Sequence, residues 1–261
     1  MELDGQPLEL EQAKALALTN YGHFTSMRVE PTNKVRGLSL HLDRLIRDCR
    51  HVFDASLDPD RVRYLVKRVT AEHDGAVIAR VTVFDPNLEL GRPGIDAEPR
   101  VLVTARSAGV VPASPIRLQS TVYSRDLPRV KHTGLFAALH YRRRAQRSGY
   151  DDVIFTAADG TVSEAATSNV GFVGSDGSLV WPSADCLPGI TMRLIDQARD
   201  KNLTTARIAL SDISNFDAAF VTNAAVGVRE VAAVDDVTWQ PGHPLIDSIR
   251  KEYEDIPPEK I

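Results

Sequence analysis

The chain has 261 residues, 43% of them hydrophobic and 25% charged, and a formal net charge of −4. Those proportions suit a globular protein with a sizeable core, and they argue against disorder and against general nucleic-acid binding. No apolar run approaches the roughly 18–20 residues that cross a bilayer, and residues 1–14 are acidic without an apolar core, so neither a membrane role nor an export signal is expected.

Taken in order, the chain starts irregularly. FTSMRVE (24–30) alternates large and small residues and predicts a strand, PTNK a turn, and VRGLSL the approach to a helix. From Leu42 the apolar residues Leu45, Ile46, Cys49, Val52 and Phe53 keep helical spacing, and Val62, Leu65, Val66 and Val69 predict a second helix over 59–72. AVIARVTVF (76–84) and RVLVTA (100–105) are β-branched runs bounded by Pro and Gly, hence strands. RSAGVVPASP (106–115) has small residues, two prolines and no periodicity, and reads as a linker. Beyond it a strand is expected over 116–123 and a helix over 135–148. Short strands follow in DVIFT, TVSEA, SNVGFV and SLVW, turned at Asp159-Gly160 and Asp176-Gly177. LPGIT opens a helix to about Asn202, and AAFVTN and VREVAAV are late strands. The sum is an α+β protein of two domains with mostly antiparallel strands. Cys49 and Cys186 lack metal-ligand spacing, so no metal is expected, and both read as reduced thiols of a cytoplasmic protein.

Four places hold residues with chemical potential. Lys131, in RVKHTGLFAALHY, is either a solvated lysine or a buried amine; burial would lower its pKa and free it to form a Schiff base with a carbonyl cofactor. LPGITMRLI reads as an ordinary capped turn or as an anion site, where the N–H groups of Gly189, Ile190 and Thr191 at a helix start meet a phosphate. Glu164, in TVSEAATSN, is an exposed hairpin glutamate or a carboxylate facing a ring nitrogen. Arg44, in LHLDRLI, either snorkels to water or clamps a phosphate. The arginines of YRRRAQR read as a solvated helix face, and His132 as a brace for the lysine's loop.

The order Arg, Lys, Glu, phosphate loop resembles the class IV aminotransferases, the fold-type IV pyridoxal-phosphate enzymes. That group includes branched-chain and D-amino-acid aminotransferases and 4-amino-4-deoxychorismate lyase. The resemblance runs from YGHFTSMRV through HLDRL, VKHTG, GYDDVIFTAADGTVSEAATSNVGFV and CLPGITMRLI to VTNAAVGVREV. It implies Lys131 as the Schiff-base lysine and Glu164 on the pyridine nitrogen of pyridoxal 5′-phosphate. Arg44, Gly189, Ile190 and Thr191 would hold the phosphate, and Thr222 and Asn223 would close the cofactor pocket. Arg80 would meet a substrate carboxylate, while Tyr21 and His23 fall in the segment that shapes the substrate pocket; a packed or surface role is the other reading of His23.

The implied fold is a small N-terminal α/β domain (1–105), a linker (106–115) and a larger C-terminal α/β domain (116–261), with the cofactor between them in a homodimer. The implied reaction moves an amino group from an amino acid or amine to a 2-oxo acid. The alternatives are a lyase that eliminates pyruvate and a non-catalytic relative. Phe136 stands where branched-chain aminotransferases have a tyrosine, and Ala224 where they have a phosphate-binding threonine.

Overall fold

The structure, a computed structural model, describes residues 1–199 and 202–261. Its contacts divide it into two compact units. The first joins Met1–Ala108 with Val130–Leu135 and Pro257–Ile261; the second joins Gly109–Arg129 with Phe136–Ile256. Lys131 therefore packs with the first unit.

The first unit is a seven-stranded sheet with helices against it. In chain order it contains β1 (Glu2–Leu3), β2 (Gln6–Pro7), α1 (Leu10–Leu18), β3 (His23–Glu30), β4 (Lys34–Val35), α2 (Leu38–Phe53), α3 (Pro59–Thr70), β5 (Val77–Phe84) and β6 (Arg100–Ser107). The terminal strand Glu259–Lys260 pairs with β4, and the order across the sheet is terminal strand, β4, β3, β5, β6, β1, β2, with every pairing antiparallel. Alternation in β3, β5 and β6 sends Met27, Val29, Val81, Val83, Val101 and Val103 into a core that α2 and α3 complete with Leu42, Leu45, Val62, Leu65 and Val69. Each such side chain contributes about 1.5–3 kcal/mol by leaving water.

Local chemistry sets the helix ends. Gly37 precedes α2 at φ 71°, a left-handed conformation that glycine adopts without penalty. The Asp58 carboxylate accepts from Asp60 N–H at 2.9 Å and Pro59 opens α3. β6 continues to Ser107, into the stretch read from composition as linker. The irregular start holds β1, β2 and α1, whose two-residue strands and short helix carry too little pattern to register.

The second unit contains β7 (Ile116–Val122), α4 (Phe136–Arg147), β8 (Asp152–Thr156), β9 (Val162–Ala165), β10 (Asn169–Val173), β11 (Leu179–Pro182), α5 (Ile190–Ala198), β12 (Leu203–Ala206), a 3-10 helix (Leu210–Asn215), β13 (Ala218–Asn223), β14 (Gly227–Val234), β15 (Val237–Thr238) and α6 (Pro244–Asp255). The strand order is β12, β11, β10, β13, β14, β7, β8, β9, and β9 pairs back onto β10, so the path returns on itself. The strands are mostly antiparallel, as expected; the exceptions are β7, which is parallel to both β8 and β14, and β11, which is parallel to β12. α4 makes the crossover from β7 to β8, burying Ala138 and Ala145 beside Val153 and Phe155. α5 ends at Ala198, short of the expected Asn202; residues 200 and 201 lie outside the described residues.

Candidate active site

In the first unit, α2 carries His41, Arg44 and Asp48 on the stripe that packs inward with Leu45 and Cys49. His41 and Asp48 have no exposed surface and Arg44 has 5%, so Arg44 does not snorkel. Its Nη2 donates to Thr25 Oγ1 on β3, and Thr25 Oγ1 lies 2.7 Å from His41 Nδ1. A guanidinium only donates, so the Thr25 oxygen accepts from Arg44 and its hydrogen goes to His41 Nδ1. That tautomer leaves the His41 Nε2 hydrogen buried without an acceptor. Burial, then the neighbouring Arg44 and Lys131 cations, hold the His41 pKa well below the usual imidazole value.

Lys131 sits outside regular structure but is tied on both sides of its backbone. Its carbonyl accepts from Phe24 N–H at 2.8 Å, and its N–H donates to Asp48 Oδ2 at 3.1 Å. Next to it His132 bridges to His23, and Thr133 N–H donates to the Gly22 carbonyl at 2.8 Å. The amine lies 4.9 Å from the Phe24 ring centroid, and the guanidinium carbon of Arg80 lies 3.7 Å from the same centroid. Arg80 also donates to Thr82 Oγ1 at 3.2 Å, and burial lowers its pKa. Tyr21 spends its hydroxyl on the Val52 carbonyl at 3.0 Å. His23 is a packed histidine with no exposed surface and, among the described residues, no hydrogen-bond partner on either ring nitrogen. Burial first, aided by Arg44 and Arg47 against the pull of Asp48, pushes its pKa down to about 4.

In the second unit two of the expected residues, Glu164 and Thr222, line up across three strands with Asn169 between them. Glu164 on β9 pairs in register with Asn169 on β10, and Asn169 pairs with Thr222 on β13. Residues in register share one face of a sheet, and successive strands lie about 4.8 Å apart. All three are buried. Glu164 is thus a strand residue with 5% exposure rather than an exposed hairpin glutamate, and Arg125 Nε stands 3.5 Å from its Oε1.

The phosphate-loop expectation needs one correction. Gly189 N–H is not free, because it donates to Asn169 Oδ1 at 3.1 Å while Asn169 Nδ2 donates to the Leu187 carbonyl at 2.7 Å. Gly189 caps α5, so the free donors of that helix start are the amides that follow, from Ile190 onward. Asn223 is also engaged: its Oδ1 accepts from Ala225 and Val226 N–H groups at 2.9 and 3.1 Å, and its Nδ2 donates to Ser168 Oγ at 2.9 Å. The hydroxyls of Thr191 and Thr222, by contrast, are buried and have no hydrogen-bond partner among the described residues.

Sequence reasoning missed Asp48, His41, Thr25, Arg125 and Asn169. The first two were legible as ionisable residues three and four positions from Arg44 on an apolar helix stripe; Asn169 stood in the quoted EAATSN motif. Among the described residues no group of three or more His, Cys, Asp or Glu is placed to hold a metal, and no helix is long and apolar enough to cross a membrane. Both cysteines are free, with burial pushing each thiol up to about 11. Arg142, from the basic run, pairs with Asp152.

The chain is 25% identical, over an alignment 279 positions long, to a probable branched-chain-amino-acid aminotransferase of Rickettsia bellii, covering 96% of this chain and 93% of that one. A Rickettsia felis protein of the same name is 34% identical over 124 residues, an alignment spanning 44% of this chain and 42% of that one. The fold is similar to the branched-chain aminotransferase of the thermophilic archaeon Thermoproteus uzoniensis with norvaline, with a TM-score of 0.83 at 22% identity over 97% of this chain and 92% of that one. It is also similar to a putative 4-amino-4-deoxychorismate lyase from Legionella pneumophila, with a TM-score of 0.81 at 22% identity over 96% of both chains. The α+β fold implied by the sequence motifs is therefore the one present. A family model described as Amino-transferase class IV matches residues 22–234. The chain belongs to the class IV amino-transferase family.

Proposed function

We propose that the protein is a pyridoxal-phosphate-dependent aminotransferase, which moves an amino group between an amino acid or amine and a 2-oxo acid and uses Lys131 as its catalytic amine. The observation that carries this reading is the pair of unsatisfied buried hydroxyls, Thr191 and Thr222, the first in the opening turn of α5 and the second in the register that runs through Asn169 to Glu164. Leaving such hydroxyls unpaired costs about 1–3 kcal/mol each, and an anion at a helix start would accept from both them and the free amides. Glu164 suits a protonated ring nitrogen, and the unsatisfied His41 Nε2 donor beside Arg44 suits a second anion contact. The residues therefore fit the cofactor.

In this reading Arg44, Ile190, Thr191 and Thr222 would hold the phosphate, with Gly189 and Asn223 shaping the loops that carry them. When bound, pyridoxal phosphate supplies the electron sink that stabilises negative charge on the substrate carbon. Glu164 would keep the ring nitrogen protonated, and Arg125 Nε stands 3.5 Å from its Oε1. Lys131 would take the proton from the substrate carbon and hold it for return on the far side of the amino nitrogen, a shuttle that its tethered backbone would keep within reach. Arg80 offers a guanidinium to a substrate carboxylate, and Tyr21 contributes a wall to the substrate side. We also place the enzyme in the cytoplasm as a homodimer.

A panel of amino donors tests this: branched-chain and other amino acids of both hands and primary amines, each with pyruvate or 2-oxoglutarate. The reading expects product only when a 2-oxo acid acceptor is present. Pyruvate released from an aminodeoxychorismate-like substrate without acceptor would make the chain a lyase, and a colourless protein that takes up no cofactor would make it a non-catalytic relative.

A further inference from the structure

Asp48 is a carboxylate with no exposed surface, and burying an acid carries a cost that its contacts must offset. One contact is local: Arg47 Nε and Nη2 donate to its Oδ1 at 3.0 and 2.7 Å. Arg47 is the preceding residue in the chain and its side chain is 49% exposed, so this pair could equally form at the surface and gives no reason for Asp48 to be inside. The other contact is what burial achieves. Asp48 Oδ2 accepts the backbone N–H of Lys131 at 3.1 Å, across 83 positions of sequence.

We propose that Asp48 is a positioning residue for Lys131, fixing the backbone from which the catalytic amine extends; this rests on Lys131 being that amine. The segment Val130–Leu135 lacks regular structure, and a lysine carries a long flexible stem, so the amine is only as well placed as its Cα. From one side the segment is held by backbone groups of the β3 end, through Phe24 and Gly22. From the other, the hold on the lysine amide comes from a side chain, and that side chain belongs to the helix that also carries Arg44, one turn earlier. α2 therefore sets both the guanidinium proposed for the phosphate and the base of the lysine on one rigid element. A shift of about 1 Å at a catalytic group can cost about 10²-fold in rate, which is the scale on which such a tether matters.

The test uses the full chain as wild type, D48A and D48N. Asparagine keeps one oxygen acceptor, and the half-exposed Arg47 can turn to water, so D48N retains the bond to the Lys131 amide while D48A cannot. Two readouts apply. The first is hydrogen–deuterium exchange of the peptide bearing the Lys131 amide, in protein without cofactor. The second is the rate at which visible absorbance grows on adding pyridoxal phosphate. D48A is expected to exchange that amide about tenfold faster or more and to develop the band about tenfold more slowly or worse, with D48N within about threefold of wild type on both. Wild-type behaviour of D48A on both readouts overturns the proposal, as does a D48N as impaired as D48A. Should D48A fail to fold, D48N decides: wild-type exchange supports the tether and tenfold faster exchange overturns it. A wild-type protein that gains no band overturns the aminotransfer reading instead, and the exchange readout still decides whether Asp48 holds Lys131.

Discussion

Replacing Gly189 by alanine should damage the loop at the start of α5 through one identifiable collision. Gly189 has φ −66° and ψ 147°, so alanine meets no backbone strain there. An added Cβ would instead stand 2.1 Å from Asn169 Oδ1 and 3.3 Å from its Cγ. Asn169 cannot step aside freely, because it holds Gly189 N–H and the Leu187 carbonyl and is 5% exposed. Displacing it gives up two buried hydrogen bonds at about 1 kcal/mol each, and overpacking adds about 1–2 kcal/mol. The expected destabilisation is therefore about 3–4 kcal/mol in urea unfolding. The collision partner makes a double-mutant cycle decisive. N169A should itself cost about 2 kcal/mol by losing the same two bonds, but in that background G189A should cost less than about 0.5 kcal/mol, since nothing remains to hit. Costs of the two substitutions that simply add would refute the role given to Asn169 as the brace of the loop that opens α5.

Other outcomes follow from the same geometry. T191V and T222V each remove an unsatisfied buried hydroxyl, so without cofactor they should leave stability unchanged or raise it by about 1 kcal/mol, while weakening pyridoxal phosphate binding about tenfold; thermal melts with and without cofactor read both signs. E164Q keeps the shape and removes the charge, so transamination should fall about 10²-fold or more with cofactor affinity changed less than about tenfold, by steady-state rates and absorbance titration. His23 titrates near 4 in the native protein against 6.5 when unfolded, so between those values the unfolded chain binds the extra proton. Stability should fall as pH drops from about 6.5 to about 4, by up to about 3 kcal/mol, and H23Q should flatten that dependence in urea unfolding.

The parts of the fold legible in sequence are those whose pattern is local. β5 and β6 are β-branched runs between breakers, and α2 and α3 carry apolar stripes at helical spacing. α6 went unread although His243 caps it, Pro244 opens it and Ile246, Ile249 and Tyr253 face inward at three- and four-residue intervals. The parallel pairing of β7 with β14 joins residues more than a hundred positions apart, and no local periodicity encodes a partner. The site divides in the same way. Lys131, Arg44 and Glu164 stood out as polar groups in apolar or small-residue company. Asp48 offered only its place on the apolar stripe of α2 and Arg125 offered nothing, because the role of each comes from what folding brings beside it: a backbone amide in one case and a carboxylate in the other.

The central claim is that Lys131 is the amine that reacts with pyridoxal phosphate, and chemical trapping tests it most directly. The protein should be incubated with the cofactor, reduced with borohydride and digested, and its peptides mapped by mass spectrometry. The account expects one phosphopyridoxyl group per chain, on Lys131, and none on K131A under the same conditions. A label that is absent from wild type, or that falls on another lysine and persists in K131A, would contradict it.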